Sequence, residues 1–140
     1  MKNIEKKTIA ILDGQGGGVG RKIAERLLSE KWNVEFVAVG TNAIATSNMM
    51  KAGITTGATG ENAWIYNSAH ADIIVGPIGI ILPNAMRGEI SAAMALAAVD
   101  SPAEIILVPV PNGHIKIAGT EEKGLQQYLE DVVLLIGEGI

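Results

Sequence analysis

The feature that most restricts this chain is an apolar run that ends in a cluster of glycines and restarts as a helix. Thr8-Ile9-Ala10-Ile11-Leu12-Asp13 shows no polar alternation, the pattern of a strand buried on both faces. Gly14-Gln15-Gly16-Gly17-Gly18-Val19-Gly20 follows at once. Val19, Ile23 and Leu27 then recur at helical spacing with Ala24 and Leu28 beside them, while Arg21, Lys22, Glu25 and Arg26 fall off that stripe. This is an amphipathic helix. A strand buried on both faces needs helices above and below it, so the opening segment already implies a parallel sheet.

The rest of the chain repeats the alternation. A second strand is expected over 34–39, closed by Gly40, with Thr41 capping a helix over 42–51 that Gly53 ends. A short third strand is expected at 54–56, a helix at 61–68 and a strand at 72–75, with 78–82 continuing that strand or starting an apolar loop. Residues 89–99 read as a helix whose Ile90, Ala93, Met94, Ala97 and Ala98 share a face of small residues. Residues 104–110 read as a strand, Asn112-Gly113 as a hairpin turn, and Ile115 and Ile117 as the returning strand. Leu125, Tyr128, Leu129, Val132, Val133 and Ile136 give the stripe of a closing helix. The expected fold is three-layer, Rossmann-like α/β. A mostly parallel sheet carries a C-terminal β-hairpin and a closing helix, with 1–140 as a single domain.

Composition removes several classes of function. With 140 residues the chain has the length of one domain. Hydrophobic residues are 48% and mean hydropathy is +0.29, a surplus that a doubly covered sheet or a subunit interface would absorb. Homo-oligomerisation is therefore expected. A net charge of −4, with no lysine or arginine run, argues against nucleic acid. Cysteine is absent, which excludes disulfides, thiolate nucleophiles and cysteine-bound metal. The longest apolar run, over 73–82, is interrupted by glycine and proline and falls well short of the roughly twenty residues a bilayer needs. No membrane partner is expected. The charged first residues lead into a strand, not a signal-peptide core, so a cytoplasmic location is expected.

The glycine turn carries the chemistry. Its spacing fits G-x-x-x-G-x-G at Gly14, Gly18 and Gly20. It lacks the Lys-Ser/Thr of a Walker loop, since Arg21 follows Gly20. Gly14 permits a tight exit from the strand, Gly18 lets a phosphate approach the backbone, and Gly20 packs helix against sheet. Unpaired N–H groups and the helix dipole favour an anion there by about 0.3–1 kcal/mol. The turn and the following Arg21-Lys22-Ile23-Ala24-Glu25-Arg26-Leu27 resemble the dinucleotide turn of short-chain dehydrogenases, which implies NAD(P) or another nucleotide held by Gly14, Gln15, Gly16, Gly17, Gly18, Val19 and Gly20. Three positions depart from that pattern. Gly40-Thr41-Asn42 stands where the ribose-binding acid belongs, and Asp13 replaces a small hydroxyl residue. The Tyr-x-x-x-Lys pair is missing, because His70 follows Tyr66 and Val132 follows Tyr128 at that spacing. A carboxylate about 5 Å from a phosphate costs on the order of 3 kcal/mol at an effective dielectric of 20. Asp13 therefore faces the ligand with Mg²⁺ between them, or turns onto the N–H groups of the loop.

Other candidates follow from the rule that ligands sit outside the carboxyl ends of the strands. Thr41 and Asn42 are placed to meet a ribose, Thr59-Gly60-Glu61-Asn62 leads a helix toward the same crevice, and Gly76-Pro77-Ile78-Gly79 offers an apolar face. Helix capping is the stronger expectation for Thr41 and an equal alternative for Thr59 to Asn62. His70 and His114 are the histidines available for acid–base work near neutral pH. No metal-ligand spacing occurs.

Over its whole length the chain resembles a bacterial domain-of-unknown-function family with a Rossmann-like fold. The residues that carry this are Leu12-Asp13-Gly14-Gln15-Gly16-Gly17-Gly18, Gly40-Thr41-Asn42-Ala43, Lys51-Ala52-Gly53, Gly57-Ala58-Thr59-Gly60-Glu61-Asn62-Ala63 and Ala71-Asp72-Ile73-Ile74-Val75-Gly76-Pro77-Ile78-Gly79-Ile80. That resemblance implies no activity. The residues favour a small nucleotide- or dinucleotide-binding domain whose site joins 14–20, Thr41, Asn42, Asn62, Gly76 and Pro77. Two alternatives stand beside it. One is an enzyme on a small phosphorylated or carboxylated metabolite, with Asp13 or His114 as acid–base group. The other is a structural or regulatory subunit whose glycine turn only packs.

Overall fold

A computed structural model describes residues 6–110, 114–121 and 123–140. Among the described residues five strands form one parallel sheet: β1 (Thr8–Asp13), β2 (Glu35–Gly40), β3 (Gly57–Thr59), β4 (Ile73–Pro77) and β5 (Glu104–Val108), in the order β3-β2-β1-β4-β5. The helices are α1 (Gly18–Leu28), α2 (Ala43–Met50), α3 (Glu61–His70), α4 (Ala92–Val99) and α5 (Leu125–Gly137). This is the Rossmann-like α/β class, with helices on both faces of the sheet.

Alternation along β1 separates the two cores. Ile9 and Ile11 pack with α1, α2 and α5 through Ile23, Leu27, Met49, Leu129, Val132 and Ile136. Ala10 and Leu12 face α3 and α4, where Trp64, Met94, Ala95, Ile80 and Ile90 close the second layer. A period-two strand with both faces apolar has no face for water, and the central strands are accordingly buried. A bidentate ion pair fixes α1 against α5, Arg26 donating through Nε and Nη2 to the two Glu130 oxygens at 2.6 and 2.9 Å.

Several elements lie elsewhere than the sequence pattern places them. The third strand pairs over Gly57–Thr59, not 54–56. Ile54 is drawn into the first core, and pairing begins where a glycine lets α2 close on the sheet: a Cβ at Gly57 would collide with Met50 Sδ and Thr46 Cγ2. Residues Ile78–Ile81 form a 3-10 turn after β4. Asn42, not Thr41, caps α2, its Oδ1 accepting from Ala45 N–H at 2.9 Å. The helix expected over 89–99 begins only at Ala92, because Ser91 Oγ accepts from Met94 N–H at 3.1 Å and serves as N-cap. The expected Asn112-Gly113 turn lies outside the described residues. On its far side Ile115 makes an isolated bridge and Ile117 lies outside any strand, both half-exposed.

Trp64 is the largest fully buried side chain, and its Nε1–H donates to Met94 O at 3.1 Å, tying α3 to α4. Trp64→Ala is expected to lower stability by about 3–5 kcal/mol. Trp64→Phe, which keeps most of the ring but strands the Met94 carbonyl, should cost less than Trp64→Ala. Urea unfolding of the two variants checks that order.

Candidate functional site

The order β3-β2-β1-β4-β5 reverses direction between β1 and β4, and in an open parallel sheet the crevice for a ligand opens at such a reversal. The glycine turn leaves β1 at that point. Asp13 ends the strand with its side chain buried at 4% exposure. Its Oδ1 accepts from Gly14 N–H at 2.8 Å and its Oδ2 from Gly20 N–H at 2.7 Å. One carboxylate therefore bridges the exit of the strand and the first turn of α1. Burial pushes its pKa up, the Gly20 and Gly14 N–H groups pull it down, and nearby Glu89 pushes it up again; the net direction is upward. Both oxygens are taken by backbone, so Asp13 has turned onto the loop. The condition for a Mg²⁺ bridge, a carboxylate facing the ligand, is not met in this arrangement.

The turn is tied down on its other side by α2. Asn42 Nδ2 donates to Gln15 O and Asn48 Nδ2 to Gly16 O, each at 2.9 Å, and Gly17 N–H donates to Gly14 O at 2.9 Å. Neighbouring groups crowd three of its glycines. A Cβ at Gly14 would stand 2.6 Å from Met86 Sδ, one at Gly20 would stand 2.5 Å from Met49 Sδ, and Gly17 has φ +71 against the Ala45 carbonyl. Gly16 and Gly18 differ: neither has a positive φ, and a Cβ on either would meet nothing within 4 Å. Both are exposed, and among the described residues the N–H groups of Gly16, Gly18 and Val19 have no hydrogen-bond partner.

Glu89 enters this site from the loop after β4, and no spacing in the sequence links it to the turn. Its Oε1 accepts from Gln15 N–H at 2.6 Å, from Thr41 Oγ1–H at 2.6 Å and from Asn42 Nδ2 at 3.3 Å. A carboxylate thus stands at the end of β2, where the local sequence has only Thr41 and Asn42. Partial burial raises its pKa, whereas bonds from Thr41, Gln15 and Asn42 lower it more, and the net direction is downward. The one advance signal is Ser91, which as N-cap starts α4 only at Ala92 and leaves Glu89 outside the helix.

The other expected positions do not join the turn. Gly76 and Pro77 are buried inside β4, in register with Leu107 and Val108, and a Cβ on Gly76 would strike the Leu12 carbonyl. Asn62 lies exposed on the first turn of α3 and makes no hydrogen bond to the turn among the described residues. Thr59 Oγ1 pairs with Thr46 Oγ1 at 2.8 Å. His70 stacks on Tyr66 at 4.2 Å at the C-terminus of α3, which leads into the opposite end of the sheet. His114 is exposed beyond β5. No group of three or more His, Asp or Glu among the described residues is placed to hold a metal ion.

The model for the domain of unknown function DUF3842 matches residues 8–140. The chain belongs to the DUF3842 family. Among solved structures, this DUF3842 chain is similar to a dodecameric FMN-dependent UbiX-like decarboxylase from Escherichia coli O157:H7, at 18% identity and TM-score 0.44 over 96% of this chain and 77% of that one. It is also similar to a universal stress protein in complex with cAMP, at 17% identity and TM-score 0.43 over 74% of this chain and 96% of that one. A search of curated proteins finds no match. No helix among the described residues is long and apolar enough to cross a membrane.

Two outcomes test this geometry. Asp13→Ala should destabilise the DUF3842 chain by about 1–3 kcal/mol for each buried N–H left unpaired, less whatever the lost desolvation returns. Asp13→Asn, which keeps an acceptor for one N–H, should cost less in urea unfolding. For Glu89 the folded pKa lies below its ordinary 4.5. Its contribution is therefore present above that pH and lost as pH falls through the folded value. The stability gap between wild type and Glu89→Gln should be widest near neutral pH and close in acid. A gap that widens in acid contradicts the assignment.

Proposed function

We propose that this domain binds a small phosphate-bearing ligand, a nucleotide or dinucleotide such as NAD(P), at the glycine turn. The observation that carries the reading is the set of unpaired N–H groups at Gly16, Gly18 and Val19, at the N-terminus of α1 and the reversal point of the sheet. Oriented amides and a helix dipole at such a place attract an anion. Gly16 and Gly18 fit the group in a second way. The fold asks for no glycine at either position, whereas an oxygen seated on the backbone would. Thr41 and Asn42 stand beside the turn as polar groups for the sugar. Within this reading the chain works in the cytoplasm. It self-associates through apolar surface such as Leu96 and Val99, which stand exposed on the outer side of α4 at 59% and 56%.

The test is a thermal-shift panel of NAD, NADP, FAD, FMN, ATP and sugar phosphates. A ligand at 100 times its Kd adds about 2.7 kcal/mol to stability, which appears as a raised Tm. Gly18→Ala places a methyl group in open space and should keep the wild-type Tm without ligand. Gly18→Val, bulkier at the same spot, should lose most of the ligand-induced shift. A panel without any shift, or a shift that Gly18→Val retains, contradicts the reading.

A further inference from the structure

Residues 84–90 form a closed loop lying against the turn. Its base is pinned by Asn84 N–H to Ile90 O at 2.7 Å and Ile90 N–H to Ala85 O at 3.2 Å, with Ile90 itself fully buried. Its tip is conformationally costly. Asn84, Met86 and Arg87 have φ of 68, 57 and 57, and Gly88 has φ 91, a left-handed region that side chains other than glycine seldom occupy. Such strain persists only where surrounding contacts enforce it, and it gathers at clamps and switches.

Inside the loop Gly88 N–H donates to Asn84 O at 3.1 Å and Glu89 N–H to Met86 O at 3.2 Å, and its side-chain hydrogen bonds to the rest of the protein lead to the glycine turn and Thr41 and Asn42 beside it. Met86 Sδ and Glu89 Oε1 cover the space beside Gly14, and the Glu89 carboxylate takes Gln15 N–H and Thr41 Oγ1–H at 2.6 Å each. Beyond those bonds the tip is open: Arg87 and Gly88 are exposed. One carboxylate therefore latches a pinned, strained loop onto the same run of backbone that the proposed ligand would use.

We infer that residues 84–90 are a strap and that Glu89 is an internal anion holding it shut, displaced when an anionic ligand takes the turn. This rests on the reading of the turn as a phosphate site and adds its regulation. An incoming phosphate puts a second negative charge next to the Glu89 carboxylate, and like charges at such range repel. Binding then releases Gln15 N–H and Thr41 Oγ1–H to the ligand and leaves the tip held only by its own backbone bonds and by the packing of Met86. The apparent affinity of the closed protein is lowered by the fraction of time the latch is engaged.

The experiment uses the full chain as wild type, Glu89→Ala and Glu89→Asp, with ADP as probe. Calorimetry gives affinity, and amide hydrogen exchange follows Gln15 and residues 86–89. Glu89→Ala should bind ADP at least threefold more tightly than wild type and exchange faster at Gln15 without ligand. Glu89→Asp, one methylene short of the latch, should fall between them. In wild type, ADP should speed exchange at Gly88 and Glu89 while slowing it at Gly16 and Gly18. Binding by Glu89→Ala alone also supports the latch. ADP binding of equal or weaker affinity in Glu89→Ala overturns the latch and leaves the phosphate site standing. Absence of ADP binding in all three chains overturns both.

Discussion

A single buried carboxylate organises this end of the molecule. Asp13 is the last residue of the central strand, and by accepting from Gly14 N–H and Gly20 N–H it fixes both ends of the turn at once. A charged group out of water is costly unless such bonds compensate for it. The upward pKa direction of Asp13 shows that burial is the stronger influence here. In return the strand is locked to the helix, and Gly20 is held where a Cβ would meet both Met49 and Asp13 itself. The same staple decides which amides are left over. With the N–H groups at 14 and 20 committed to Asp13, those at 17 and 15 to Gly14 O and Glu89, the open ones are at 16, 18 and 19.

Around that staple the neighbouring elements divide their polar groups between capping and site-building. Asn42 caps α2 with Oδ1 and holds Gln15 O with Nδ2, so one side chain serves helix and turn together. Thr41, relieved of capping, donates to Glu89. Ser91 caps α4 and donates to Glu61 at the start of α3, and by starting α4 there it leaves Glu89 free to cross to β2. Two carboxylates therefore flank the turn, one beneath and one beside it. An anionic ligand has to contend with both, which sets the helix dipole's modest attraction against repulsion of comparable or larger size. Displacing the movable carboxylate is the cheaper outcome, since Asp13 is buried and Glu89 is not.

Much of the fold was legible because period-two and helical patterns report burial directly. β1, α1, β2 and β4 announce themselves through unbroken apolar runs or clean stripes, and α5 through its repeat from Leu125 to Ile136. The short third strand was not legible: Ile54 reads as a strand residue, yet its side chain belongs to the core and the pairing starts at Gly57. The start of α4 is hidden in the sequence because Glu89 and Ile90 continue a helical pattern whose hydrophobic face Ile90 joins from outside the helix. In the candidate site, the local part was readable and the long-range part was not. Strand, glycine spacing and helix identify the turn, but a carboxylate arriving from 74 residues away leaves no spacing to recognise. Gly76 illustrates the reverse error, a glycine that looks available to a ligand and is instead consumed by the close approach of Leu12 O.

The most direct measurement is an amide-resolved NMR titration of the full chain with ATP. The largest shifts should fall on Gly16, Gly18 and Val19, while Gly14 and Gly20, held by Asp13, move little. Shifts centred instead on Val108, Tyr128 and Asp131, which line a separate cavity beside β5 and α5, with the turn unmoved, would contradict it.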